Sequence, residues 1–397
     1  MLGAYARAPY WLTESDCDLE HFRSLVETCT DPAEYLYADC CEKNVLIYGN
    51  KCDAEILTGP ERPLIQAEII KALSHGPGVL IFRRAFGVDA IDRASAVFLN
   101  LIDQQKLANI DAGDHFGAVG ANDRLWSGVE KLALHDPSAF VDYFSNDVIA
   151  AVSEAWLGPN YQIVSEPNLV KPGSSAQTGH RDYHLGLVDI KYGRLFPAHV
   201  HRFSAALTLQ AAVAHVDMPL EAGPTRYLPY SHRYESGYLA MNVPDFQQYF
   251  KENCVQLQLR KGDVLFFNPA VMHGAGGNST LDVQRLANLL QISSAFGRAA
   301  ATVNTQRVVL AIYPELRRRL ISGDSTSAME NVLTAAADGY PFPTNLDRDR
   351  PLDRLFPESE LELTRRALYD GWDVNRLRKA LADQSWRRRS SLPALGE

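Results

Sequence analysis

The chain changes character after Pro159, and this change limits the folds that it can adopt. Between residues 161 and 296 the apolar segments are short and are separated by Gly, Pro and Asn, which is typical of strands and turns. No helical pattern alternates with these segments, so a parallel sheet of βαβ units is not expected. The pattern predicts an antiparallel sandwich or barrel, with strands at residues 161–170, 204–214, 254–259, 263–267 and 286–296.

Helical patterns lie on both sides of this region. Apolar residues recur at helical spacing, and Asp89 is a candidate N-cap. We expect helices near residues 19–26, 62–74, 89–102, 138–156, 325–337, 358–369 and 373–385, and a short strand at 79–82. The simplest arrangement is one domain: a helical N-terminal extension (1–78), a catalytic core (79–300) and a helical C-terminal extension (301–397).

Composition limits the classes of partner and the cellular compartments that we expect for this chain. The net charge of -9 disfavours nucleic acid, which selects a basic surface. No stretch reaches the ~20 apolar residues of a membrane span, and residues 1–11 lack the apolar run of a signal peptide. The six cysteines show no C-x-x-C spacing, which disfavours a zinc site. We expect a cytoplasmic monomer or homodimer that acts on a small molecule.

Two separated segments offer metal ligands. His180 and Asp182 are two residues apart, and such residues share one face of a strand. His273 ends an apolar segment and enters a glycine-rich turn, where backbone and ligands approach closely. Two imidazoles and one carboxylate on one face of an octahedron leave three positions open for a 2-oxo acid and dioxygen.

The spacing alone does not single out these residues, because the chain contains competing pairs. His215 and Asp217 have the same separation, and His199 and His201 offer two imidazoles. The His215 pair follows an apolar strand and leads into a turn, which is typical of a structural strand end.

Arg285 lies twelve residues after His273 at the start of an apolar segment. A buried arginine needs a partner there, and a bidentate carboxylate is a good one. The partner is either a carboxylate of a bound ligand or an Asp or Glu of the protein.

Three ordered blocks give the chain a specific resemblance. They are Pro-Gly at 172–173 with Gln-Thr-Gly-His-Arg-Asp at 177–182, Gly-Pro-Thr-Arg with Pro-Tyr-Ser-His within 223–232, and Lys-Gly-Asp at 261–263 through His273 to Arg285. With these blocks the chain resembles the phytanoyl-CoA dioxygenase family of iron- and 2-oxoglutarate-dependent oxygenases, in particular its fungal and microbial natural-product branch. The similarity covers residues 79–296, about half of the chain.

The resemblance implies a mainly β core, a cupin-like double-stranded β-helix or jelly roll with flanking helices. It implies His180, Asp182 and His273 as ligands of Fe(II), with O2 and 2-oxoglutarate as cosubstrates. It also implies residues that bind 2-oxoglutarate: Arg285 on the distal carboxylate, and Gln177, Thr225 and Arg124.

The expected activity is oxidation of a C–H bond in a natural-product intermediate or amino acid, by hydroxylation, desaturation or ring formation, with release of succinate and CO2. Alternatives are a catalytically silent β-sandwich binding protein and a cupin-like metal-dependent isomerase or hydrolase that uses His199 and His201. Candidates for the substrate pocket are Tyr183, His184, Trp126, Asn168 and Arg202.

Overall fold

Two β-sheets form the centre of the fold in the computed structural model, which describes residues 10–108 and 120–390. The larger sheet has the strand order β1-β2-β3-β9-β6-β11-β5-β4, and the smaller has the order β10-β7-β8. The strands are β1 (Cys40–Glu42), β2 (Val45–Tyr48), β3 (Val79–Phe82), β4 (Asn122–Arg124), β5 (Gln162–Val170), β6 (Thr208–Ala214), β7 (Arg226–Leu228), β8 (Val255–Gln256), β9 (Val264–Phe267), β10 (Met272–Gly274) and β11 (Arg285–Ser293). The strand pairs are antiparallel except β2 with β3, as expected for the core.

The alternation of side chains divides each strand of the larger sheet between two apolar layers. In β3, Leu80 and Phe82 pack with the helices on the outer face. Val79 and Ile81 face inward and belong to a cluster that includes Tyr227 of the smaller sheet. The order of layers is therefore helices, large sheet, small sheet, and the inner face of the large sheet is available to form a site.

Helices cover the outer face and both flanks. In chain order they are α1 (Leu19–Val26), α2 (Ala54–Thr58), α3 (Arg62–Ser74), α4 (Val88–Leu107), α5 (Gly128–His135), α6 (Pro137–Phe144), α7 (Asp147–Leu157), α8 (Ile190–Gly193), α9 (Ala198–Ser204), α10 (Gly237–Ala240), α11 (Pro244–Asn253), α12 (Thr305–Ser322), α13 (Thr326–Ala336), α14 (Glu360–Tyr369) and α15 (Val374–Arg388). None of the helices in the described ranges is both long and apolar enough to cross a membrane.

The N-terminal extension is not purely helical, which corrects the prediction for residues 1–78. β1 and β2 form a hairpin, and β2 continues into the large sheet beside β3. The hairpin turns through Lys43 and Asn44, which both have positive φ angles of 52° and 64°. Turns with two left-handed residues usually have the sequence Asn-Gly or Asp-Gly, so this turn is not evident from the sequence.

Two helix predictions also need correction, and one long helix was not predicted. The helix expected at 138–156 is two helices, because Asn146 accepts a hydrogen bond from the backbone N–H of Ile149 and starts α7. Asp89 lies inside the first turn of α4, whose N-cap is Gly87. The sequence reading missed α12, an 18-residue helix that contains Pro314, and a proline inside a helical pattern normally indicates a helix end.

The buried carboxyl of Glu360, at the start of α14, predicts a pH-dependent stability. Burial raises its pKa from 4.5 to about 7, against the effect of hydrogen bonds from Thr305 and the Asp338 backbone. Because the pKa is raised in the folded state, the stability that the neutral Glu360 carboxyl contributes is complete below pH ~4.5 and is lost as the pH rises to about 7. At pH 8 we expect the free energy of unfolding of Glu360→Gln to exceed that of wild type by on the order of 3 kcal/mol. This difference should largely disappear by pH 5.

The matched control is Glu362→Gln, two residues further along α14. The pKa of Glu362 is lowered, because hydrogen bonds from the Ser359 backbone and Arg354 outweigh burial. Loss of the Glu362 carboxylate should therefore destabilise the protein at pH 8 and not at pH 3. Equal responses of the two variants in denaturant titrations would contradict the assignment.

Candidate metal centre and its cavity

Two backbone hydrogen bonds join the segments that carry His180 and His273. The His180 N–H donates to the His273 carbonyl at 2.8 Å, and the His273 N–H donates to the His180 carbonyl at 2.9 Å. Residues that face each other in such an antiparallel bridge project side chains to the same face. The centroids of the two imidazoles consequently lie 4.5 Å apart.

Asp182 completes a cluster of three ligand residues. Its backbone N–H donates to the Pro269 carbonyl at 3.0 Å, which fixes its position beside the bridge. Oδ1 lies 3.8 Å from His180 Nε2, and Oδ2 lies 3.4 Å from His273 Nε2. One ligand atom of each residue lies within 4.8 Å of the others. Over residues 10–108 and 120–390, no second group of three His, Cys, Asp or Glu comes as close.

The backbone determines which imidazole nitrogen faces the cluster. His180 Nδ1 lies 3.0 Å from the Thr178 carbonyl, and His273 Nδ1 lies 2.9 Å from the Val271 carbonyl. A carbonyl only accepts, so each Nδ1 carries the proton and each Nε2 keeps its lone pair. This tautomer is the one that binds a metal through Nε2.

The electrostatics keep Asp182 and His180 in the form that binds a cation. Burial opposes ionisation of Asp182, but its contacts with His273 and His180 and the Gln210 amide hold the carboxyl pKa well below its usual value. Burial, followed by the neighbouring His273, lowers the pKa of His180. At neutral pH the cluster therefore offers a carboxylate and a neutral imidazole, a donor set that suits a divalent transition metal.

Arg181 points away from the cluster and anchors the segment from behind. Its buried guanidinium donates to the carbonyls of Ser231 and Tyr234 and lies 5.1 Å from the centre of the Tyr238 ring. Burial lowers its pKa to about 10. Gly237 makes room for it, since a Cβ at that position would lie 1.8 Å from Arg181 Cζ.

The cluster opens into a cavity of about 950 Å³ on the inner face of the large sheet. Strand alternation places every second residue of β11 on its wall. The wall residues that β11 contributes at this spacing are Arg285, Ala287, Leu289 and Gln291. The apolar remainder of the wall includes Met218, Leu265 and Phe267. A cavity of this size holds more than one small molecule.

Arg285 is buried in this cavity without an acidic partner among the described residues. Its Nη1 donates to the carbonyls of Ala222 at 3.1 Å and Gly276 at 3.3 Å. Burial lowers the guanidinium pKa to about 10. A protein salt bridge, one of the two possibilities left by the sequence, is not formed in the described part of the chain. A buried cation of this kind favours binding of an anion.

Gln177 and Thr225 line the same cavity, as the resemblance implied. Gln177 Oε1 accepts a hydrogen bond from the Ala275 N–H at 3.0 Å, which fixes its amide. Thr225 lies beside the phenol of Tyr227, a wall residue close to Arg285. Their role in binding 2-oxoglutarate stays a prediction.

Arg124, at the end of β4, also reaches the cavity. Its guanidinium lies 3.8 Å from the Glu166 carboxylate and 4.9 Å from the centre of the Trp126 ring. The structure thus places this arginine beside an acidic residue of the wall, and contact with 2-oxoglutarate stays a prediction for it.

The five candidates for the substrate pocket divide into two groups. Tyr183, Trp126 and Asn168 line the cavity. His184 does not, because both Tyr183 and His184 have positive φ angles, which end the strand alternation, and its Nε2 lies 3.3 Å from Thr208 Oγ1. Arg202 is exposed on α9 and forms an ion pair with Glu235 at 3.2 Å, so it too lies outside the cavity.

The competing histidines have structural positions. His215 is buried between the Ser95 hydroxyl at 2.7 Å and the Tyr143 hydroxyl at 2.9 Å, and burial lowers its pKa to about 3. His199 and His201 lie on helix α9, where residues two apart point in different directions. Neither pair converges on a metal.

Four polar strand residues of the cavity wall were not predicted from the sequence. They are Glu166, Gln210, Tyr227 and Gln291, all in strands that face the cavity. Only Tyr227 lies in a recognised motif. The signal for the others was a polar residue at an inward position of an otherwise apolar strand, which is informative only once the strand register is known.

Two histidines and one carboxylate that leave coordination positions open define a mononuclear centre of the type found in non-haem iron oxygenases. The phytanoyl-CoA dioxygenase family matches residues 74–287, more than half of the chain, and the chain belongs to this family. The match confirms the predicted resemblance to this family.

Individual relatives agree with this assignment. The multifunctional dioxygenase ausE of Emericella nidulans is 35% identical over 118 residues, and the dioxygenase FrzG of Cladobotryum sp is 33% identical over 122 residues. Each match spans 30% of this chain and 37% of the relative, little more than a third of its length. The dioxygenase trt7 of Aspergillus terreus is 26% identical over 62% of this chain and 81% of its own.

Among solved structures, the chain is similar to the non-heme alpha ketoglutarate dependent carbocyclase SnoK from nogalamycin biosynthesis. The identity is 18% over 57% of this chain and 83% of the other, with a TM-score of 0.42. HygX from Streptomyces hygroscopicus, solved with nickel and 2-oxoglutarate bound, is 17% identical over 60% of this chain and 90% of the other, with a TM-score of 0.39.

The cluster predicts that metal binding depends on Asp182. We expect Asp182→Ala to weaken Fe(II) binding at least about 100-fold, because it removes the anionic ligand. Asp217→Ala is the matched control, since Asp217 has the same spacing from a histidine but accepts from the Lys261 N–H at 2.9 Å. Anaerobic Fe(II) titration measures both affinities. Equal affinities in the two variants would contradict the ligand assignment.

Proposed function

We propose that this protein catalyses the Fe(II)- and 2-oxoglutarate-dependent oxidation of a C–H bond in a small natural-product intermediate or amino acid. The observation that carries the proposal is a buried arginine without an acidic partner in the described chain, Arg285, in the same cavity as the three-ligand cluster. A metal-binding protein of another class has no evident need for a buried cation beside its metal.

The residues divide the cavity into two functional parts. His180, Asp182 and His273 would hold Fe(II), and Arg285 would hold the distal carboxylate of 2-oxoglutarate through its planar fork. Gln177, through its fixed amide, and Thr225 would adjoin the cosubstrate. When bound, the metal supplies the redox chemistry that couples decarboxylation of 2-oxoglutarate to succinate and CO2 with oxidation of the substrate by O2.

The remaining wall would position the substrate. Trp126, Leu187 and Val188 give this part of the cavity an apolar surface, and Tyr183 and Asn168 add polar groups. A largely apolar wall with few polar groups favours a small organic substrate. Hydroxylation, desaturation and ring formation all begin at the same C–H bond, and the orientation of the substrate selects among them.

We also propose that the two sheets form the double-stranded β-helix of the family. The bridge between His180 and His273 and the bridge between Met218 and Leu259 extend the strand pairing beyond the two sheets. The relatives ausE and trt7 are named dioxygenases, which supports the choice of reaction class. The silent binding protein is less favoured because the ligand cluster is intact. The isomerase or hydrolase is less favoured because His199 and His201 lie on helix α9 and point in different directions.

The proposed function predicts a defined spectroscopic response. Anaerobic addition of Fe(II) and then 2-oxoglutarate to the protein should produce a weak visible charge-transfer band, because the 2-oxo acid chelates the metal. Oxygen should then release succinate, and candidate amino acids and terpenoids that are substrates should increase that release. Absence of the band in wild type would reject the function.

Arg285 predicts a separate defect in cosubstrate binding. Arg285→Gln removes the cation, and loss of one partner of a buried charge pair costs about 2–5 kcal/mol, so we expect the Kd for 2-oxoglutarate to rise about 100-fold. The Fe(II) affinity should stay within about threefold, since Arg285 contacts no ligand residue. Calorimetry with each compound distinguishes the two; a parallel loss of Fe(II) binding would show a structural role.

A further inference from the structure

Gln210 contacts the carboxylate ligand directly. Its Nε2 donates to Asp182 Oδ2 at 2.6 Å, and its side chain lies on the cavity wall. The residue is 7% exposed, so the hydrogen bond is largely shielded from water. A hydrogen bond from a neutral amide to a buried carboxylate is worth more than one between neutral groups.

Burial of the Gln210 amide costs free energy unless the amide has a function at this position. It is the one polar residue between Leu209 and Ala214 of β6, in a strand that is buried throughout. Its Oε1 makes no hydrogen bond of normal geometry, although the phenol of Tyr183 lies nearby. An apolar side chain of the same volume would avoid the cost of burying this amide.

The Gln210 amide contacts only one of the two carboxylate oxygens of Asp182. Gln210 donates to Oδ2, which also lies 3.4 Å from His273 Nε2, while Oδ1 faces His180 Nε2 at 3.8 Å. A carboxylate that chelates through both oxygens fills two coordination positions, and the proposed reaction needs three positions for a bidentate 2-oxo acid and dioxygen. The orientation of Asp182 therefore determines how many positions stay open.

We propose that Gln210 is a positioning residue for the metal centre: its amide holds Asp182 Oδ2 and thereby fixes the orientation in which the carboxylate meets a divalent metal. The proposal rests on the proposed function for the identity of the metal and the cosubstrate. The effect of Gln210 on catalysis passes through Asp182, because Gln210 itself is not a ligand.

The chain supplies a matched control in Gln291. It lies directly opposite Gln210 in the pairing of β11 with β6 and lines the same cavity. Its Nε2 donates to Glu166 Oε2 at 3.2 Å, so it too bonds a buried carboxylate. Glu166 is not part of the ligand cluster. The two glutamines thus share burial, sheet position and type of partner, and differ in whether that partner is a ligand.

The test compares Gln210→Met with Gln291→Met, since methionine keeps the length of the side chain and removes the donor. Fe(II) affinity and the charge-transfer band of the Fe(II)–2-oxoglutarate complex are measured without oxygen. Loss of a group that orients a ligand weakens metal binding by about 10–100-fold. We expect that loss, with a shifted band, in Gln210→Met alone, and Fe(II) affinity within about twofold of wild type in Gln291→Met.

Gln210→Asn is a second variant that retains the amide but falls one methylene short of Asp182. It should weaken Fe(II) binding as Gln210→Met does, and it decides the question if Gln210→Met does not fold. Wild-type affinity and band in the folded Gln210 variant, or an equal loss in both methionine variants, would overturn the proposal. A wild-type protein that gives no band with Fe(II) and 2-oxoglutarate would instead reject the proposed function.

Discussion

The reciprocal backbone hydrogen bonds between His180 and His273 are the constraint on which the site depends. They fix the separation of two imidazoles before any side chain takes part. The carbonyls of Thr178 and Val271 then select the tautomer. Both the spacing of the nitrogens and their protonation therefore come from the backbone, so the two imidazole donors are preorganised without a metal.

Asp182 and Arg285, two ionic groups of the cavity wall, have partners of different kinds. Asp182 is shared between two histidines and the Gln210 amide. Arg285 has only carbonyl partners in the described chain, which leaves its charge available to a ligand. The cavity is thus negative at the ligand cluster and positive at Arg285, which matches a cation and a dianion bound side by side.

The ligand cluster was predictable because it depends on local spacing and on recognisable blocks. His180 and Asp182 stand two residues apart, and the segment around His273 is glycine-rich. Prediction failed where the backbone departs from a regular repeat. Positive φ at Tyr183 and His184 ends the alternation after Asp182 and turns His184 away. Gln210 was not predictable, since its meaning depends on the register between β6 and the segment of Asp182.

The buried position of Arg181 limits the substitutions that this chain can tolerate. Its guanidinium occupies the space that any side chain at position 237 would need. A mutation of Gly237 alone would expel the arginine, and replacement of the arginine alone would remove a buried donor from the carbonyls of Ser231 and Tyr234, which would keep only backbone N–H donors. The two positions should therefore covary among homologues, although neither touches the metal centre.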